Sequence, residues 1–147
     1  MGTITSEQIE SGIPESARGF FKIESGLSGD GAWIVIQSFW KAVELILPKI
    51  HIKSPVQVIF ATAPFRVHMN RGTLSFEPDE VVIGAHIYGF VFLDVVKLFN
   101  MDPRFQIAVI LEELTHALMN IRDEVLVKKV VALLYPEVEF DPATFRE

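Results

Sequence analysis

The stretch PRFQIAVILEELTHALMN, Pro103 to Asn120, decides how the rest of the chain is read. Asp102 ahead of it can cap a helix with its carboxylate, and Pro103 suits the first helical position, where no backbone N–H is needed. At about 100° per residue, Ile107, Ile110, Leu111, Leu114, Leu118 and Ile121 fall on one broad face. The other side carries Glu112, Glu113, His116 and Asn120, with Val109 and Met119 beside them. A helix with so narrow a polar stripe is predicted to be buried on most sides.

Burial makes that stripe chemically demanding, because an ionised carboxylate out of water costs several kcal/mol unless it is compensated. Glu112 and Glu113 sit about one turn from His116, with no basic residue close to them in the helix. A cation would resolve the conflict. Glu112 and His116 are spaced i and i+4, so their side chains can converge on one ion, and Glu113 lies between them for proton transfer.

Upstream, the apolar residues from Ala32 to Leu47 follow helical spacing, and Pro48 stops the run. Three β-rich runs follow, Val56 to Ala61, Val67 to Phe76 and Val81 to Tyr88, separated by Ala63-Pro64 and Glu77-Pro78-Asp79. They predict a small, about three-stranded, antiparallel sheet. Asn70-Arg71-Gly72 can instead split the middle run into a hairpin. From Phe90 a helical period resumes through Phe92, Val95, Val96 and Phe99. A last helix is expected from Asp123 to Tyr135, with Val127, Val130, Val131 and Leu134 on one face and Pro136 ending it. Residues 1–30, rich in Gly and Ser, read as an N-terminal arm with a short helical turn, docked through Phe20, Phe21 and Ile23. Residues 31–147 form one α+β domain on this reading.

Composition fits a chain of that size. With 147 residues, half of them apolar and twelve of them Phe, it can bury about two thirds of its unfolded surface in one core. A net charge of −6 offers nothing to a phosphate backbone or an anionic membrane, so nucleic acid is not an expected partner. The apolar runs are too short to span a bilayer. With no Cys, any metal must be held by His and carboxylates, and a Cys-free chain without a secretory leader is expected in the cytoplasm.

The segment Glu112-Glu113-Leu114-Thr115-His116-Ala117-Leu118 resembles the H-E-L-T-H-A helix of the zincin metallopeptidases, in particular the gluzincins, with Glu112 in place of the first His. The order of helix, small sheet, motif helix and further helix is similar to a minimal zincin domain. The resemblance implies that His116 is a metal ligand and that Glu113 is the base that activates water against a peptide carbonyl. In that family a Glu on a following helix completes the site, which implies Glu124, with Asp123 as a competitor better suited to capping the helix. Glu112 accepts zinc through oxygen, but it makes the site more anionic and less electrophilic, so an impaired peptidase is implied. The donor set suits zinc, suits manganese as a harder cation, and is also compatible with a vacant site. A peptide or protein substrate would lie along Val81 to Tyr88 as an added strand.

Plainer alternatives stand beside this. The acids and His116 can be a solvated stripe, and Glu124 a dipole-complementing acid in a first helical turn. Glu113-x-x-His116 is also similar to the Glu-x-x-His element of di-iron bundles, which draw carboxylates from four helices, whereas the middle of this chain reads as strands. His86 can flank a site from the sheet edge; His51 and His68 have no companions. A non-catalytic protein-interaction domain, self-associating through its apolar surface, is the alternative to an enzyme.

Overall fold

Phe21-Lys22-Ile23-Glu24-Ser25 alternates buried and exposed residues, the period of a half-covered strand, and forms β1 (Phe21–Ser25). In the computed structural model it belongs to a four-stranded sheet of order β1-β2-β6-β5, with β2 at Val56–Ala61, β5 at Gly84–Ile87 and β6 at Phe90–Asp94. β1, β2 and β6 run parallel, and β5 pairs antiparallel with β6 at one edge. The structure describes residues 3–25, 27, 29–52, 54–61, 65–69, 72–76, 84–87, 90–140 and 145–146.

This α+β architecture differs from the sequence expectation at three places. The sheet is mainly parallel, because β1 and β2 are joined by a crossover through helix α3 (Asp30–Ile46), a connection that returns the chain in the same direction. The residues from Phe90 to Asp94 form a strand where a helical period was expected. Val91, Phe92 and Leu93 are all buried, and a strand covered on both faces loses the alternation that identifies it. The helix α4 (Val95–Phe99) starts only after Asp94, whose carboxylate accepts from the Lys97 N–H. The opening segment, expected as an arm with one helical turn, contains α1 (Ser6–Glu10), α2 (Glu15–Arg18) and β1. Phe21 and Ile23 are buried as expected, whereas Phe20 stays 37% exposed.

The middle run does split into a hairpin, β3 (Phe65–Met69) against β4 (Gly72–Phe76). Asn70 and Arg71, expected to make its turn, lie outside the described residues, as do residues 81–83 and 88 of the third run. His86 falls in β5 opposite Val91; its side chain and that of His68 lie outside what is described.

The first long helix, expected over Ala32 to Leu47, is α3, followed by a 3-10 turn at Leu47–Lys49 containing Pro48. Its Phe39 meets Phe21 and Phe60 edge-on, with ring centroids 6.3 and 5.3 Å apart, which ties it to β1 and β2. Helix α5 (Pro103–Met119) packs against α3 and against β5 and β6. A polar bridge crosses the helix pair: the Ser38 hydroxyl donates to Gln106 Oε1 at 2.8 Å, and Gln106 Nε2 donates to the Leu98 carbonyl at 2.7 Å. Gly12 lets Trp40 close on the N-terminal segment, since a Cβ there would collide with the indole. The indole N–H in turn donates to the Ile9 carbonyl at 2.7 Å.

Helix α6 (Glu124–Leu134) begins at the expected cap, with the Asp123 carboxylate accepting from the Leu126 N–H at 2.8 Å. Its buried residues Val127 and Val131 belong to the same core cluster as Ile110, Leu111 and Leu114. The short strands β7 (Glu139–Phe140) and β8 (Phe145–Arg146) pair with each other after it. Among the described residues, no helix is long and apolar enough to cross a membrane.

Candidate metal centre

Helix α5 follows the capping logic of its sequence, with Asp102 accepting from the Arg104 N–H at 2.9 Å and Pro103 at the start. Ile110, Leu111 and Leu114 are fully buried, while Ile107, Leu118 and Ile121 are partly buried against the core. The polar side is largely covered as well. Glu113, Thr115 and His116 are buried, and Glu112 is only partly exposed. Thr115 satisfies its hydroxyl by donating back to the Leu111 carbonyl at 2.7 Å.

The helix ends at Asn120, whose left-handed backbone (φ 54°, ψ 41°) reverses the chain. Asn tolerates this conformation better than other residues with a Cβ. The turn brings the Ile121 carbonyl to 2.6 Å from His116 Nδ1. A carbonyl only accepts, so Nδ1 carries the hydrogen, and Nε2 is the atom directed at the neighbouring helix. There it meets Glu124 Oε2 at 3.2 Å. Nε2 either binds a proton and donates to Glu124 or presents its lone pair to a cation.

Glu112, His116 and Glu124 each offer a ligand atom, and these atoms all lie within 4.8 Å of one another. Sequence spacing on α5 brings the first two together, and the tight turn into α6 adds the third. Asp123 is engaged as the α6 cap and is not in the cluster. Two ligands of a tetrahedral zinc at about 2.0–2.1 Å stand about 3.3 Å apart, which the His116–Glu124 separation already meets. The imidazole anchored through its far nitrogen and the two carboxylates therefore fit a divalent cation.

Sequence reasoning missed one residue of this cluster, Lys128. Its ammonium donates to Glu112 Oε1 at 3.0 Å and stands 3.8 Å from Glu124 Oε2. The Lys128 and Glu112 side chains are 12% and 13% exposed, so this is a largely buried pair. The available signal was Glu124-x-x-x-Lys128, the i, i+4 spacing that places both on one face of α6. Burial pushes the Glu112 carboxyl above its usual range. Lys128 pulls it part of the way back, while Glu113 and Glu124 add to the rise.

β5 is an end strand of the sheet, antiparallel to its neighbour and packed against α5. Compared with known proteins, the chain matches no family model, no curated protein and no solved structure.

Proposed function

We propose that this chain is a zincin-like protein related to metal-dependent peptidases, with a divalent cation, zinc in the first instance, held by Glu112, His116 and Glu124. The observation that carries the reading is the convergence of three ligand atoms within 4.8 Å on two successive helices, one of them an imidazole fixed by a backbone carbonyl. A bound ion would supply Lewis acidity, polarising a carbonyl and acidifying water.

In this reading Glu113 is the base. It neighbours Glu112 in sequence and is buried, which suits a carboxylate that takes a proton from water and passes it to a leaving amine. The substrate is an extended peptide, added as a strand to the edge at β5. Glu112 contributes negative charge where the related peptidases carry a neutral His, so hydrolysis is weakened relative to metal binding. The cytoplasm is the compartment that a Cys-free site of this kind suits.

Elemental analysis of untagged protein purified without chelator tests the reading. A stoichiometric metal that is lost from Glu112→Ala, His116→Ala and Glu124→Ala, with zinc raising the melting temperature of the stripped form, supports it and justifies a peptidase screen. Absence of metal together with no thermal shift would sink it.

A second reading is favoured by Lys128, whose ammonium already supplies a positive charge to the carboxylates. Here the cluster is a helix-to-helix lock, and the domain is an inert binding module using exposed apolar residues such as Phe99, Leu126 and Leu133. The metal-free outcome of the same experiment selects it.

A further inference from the structure

We propose that Lys128 is a built-in antagonist of the metal, a cation that closes the cluster when the ion is absent and must leave before the ion can be held; the proposal rests on the metal reading above. Glu124 Oε2 faces both His116 Nε2 at 3.2 Å and Lys128 Nζ at 3.8 Å, and Lys128 also holds Glu112 Oε1 at 3.0 Å. The ammonium thus contacts both carboxylates that a divalent ion would need. A divalent ion bound there would stand within a few ångströms of a like charge, in a setting closed on the Glu112 and Lys128 side although Glu124 is 63% exposed, so the repulsion is only partly screened.

The two cations therefore exclude each other. Lys128 has a flexible four-carbon stem and a small exposed fraction, which gives its ammonium a route outward to water. Without metal, Lys128 keeps Glu112 and Glu124 from repelling one another across the α5–α6 contact. With metal, it is released. The cluster then responds to the supply of free metal with a threshold set by how strongly Lys128 holds the carboxylates, since affinity is reduced by the fraction of chains in the closed state.

The test is zinc affinity measured by competition with a chromophoric chelator, on untagged full-length wild type, Lys128→Gln and Lys128→Arg. Lys128→Gln removes the competing charge and should bind zinc about tenfold tighter or more, the scale on which close charge pairs couple. Lys128→Arg keeps the charge and should not tighten binding. Because Lys128→Gln could fail to fold, a second measurement uses the wild type. The Lys128 side-chain 13Cε and 15Nζ resonances, assigned by their loss in Lys128→Arg, should move on zinc addition as the ammonium leaves the carboxylates. A wild type that binds zinc with these resonances unmoved, or a folded Lys128→Gln with unchanged affinity, overturns the antagonism and leaves the metal site standing. No zinc binding by wild type or by a folded Lys128→Gln overturns the metal reading, and this proposal with it.

Discussion

Replacing Glu112 with His places a second imidazole one turn from His116, as in the zincin helix the segment resembles, and breaks the ion pair to Lys128 in one step, so on the proposed reading its consequences in chelator and in zinc have opposite signs. At 3.0 Å and an effective dielectric of about 20, the direct attraction between Lys128 and Glu112 is about 5–6 kcal/mol before desolvation and side-chain ordering are subtracted. Pairs in full solvent retain about 0.2–1 kcal/mol, and removing one partner of a fully buried pair costs about 3–5 kcal/mol. With side chains 12% and 13% exposed, and Glu124 still 3.8 Å from the ammonium, the loss should be about 2–3 kcal/mol. For a chain of this length that is a fall of about 5–10 °C in melting temperature in EDTA. Free zinc at about a hundred times the dissociation constant returns about 2.7 kcal/mol, so the variant should recover most of its stability and gain more from zinc than wild type does. The assay is thermal unfolding of both proteins in EDTA and in buffered zinc. A Glu112→His protein that gains no more from zinc than wild type would refute the reasoning that these positions frame an ion.

Other expectations follow from the same geometry. Asn120→Gly should leave stability and zinc affinity nearly unchanged, because Gly accepts φ near 54°. Asn120→Val should cost about 1–2 kcal/mol in urea unfolding and weaken zinc binding, because the turn aims the Ile121 carbonyl at His116. Gln106→Leu should destabilise by about 1–3 kcal/mol by leaving the buried Ser38 hydroxyl without its Gln106 partner, while the Leu98 carbonyl keeps the Met101 N–H. Adding Ser38→Ala should recover part of that loss in a double-mutant cycle, and strict additivity would contradict the bridge. Burial, with Glu137 adding to it, pushes the Tyr135 phenol up to about 12, so the native chain holds a proton that the unfolded chain releases near pH 10. That contribution to stability is complete below about pH 10 and is lost as pH rises towards 12. Unfolding followed across that range should show a smaller alkaline loss in Tyr135→Phe.

What was legible in the sequence is what local chemistry specifies. Asp102-Pro103 and Asp123 fix the starts of α5 and α6 by capping, and the observed helices begin there. The i, i+4 spacing of Glu112 and His116 is likewise a local statement, and it survives in the cluster. The strand β6 was not legible, because Val91, Phe92 and Leu93 are covered on both faces and continue without a break into α4. Its identity is set largely by its parallel pairing with β2, which no short window contains. The parallel direction of β1 and β2 was hidden for the same reason, since β1 lay within a Gly-rich segment read as an arm.

Lys128 shows why the site itself was only partly readable. The charge problem posed by two adjacent carboxylates on a buried helix is visible in α5 alone, but its answer comes from α6. If helix packing were the only requirement, apolar residues of similar size at positions 112, 116 and 128 would serve at least as well, since buried ion pairs are often no better for stability than hydrophobic replacements. The acids, the imidazole and the ammonium carry desolvation costs that a packing role does not need. On the proposed metal reading, the exchange of one cation for another, ammonium for metal, would account for Glu112, His116, Glu124 and Lys128 together.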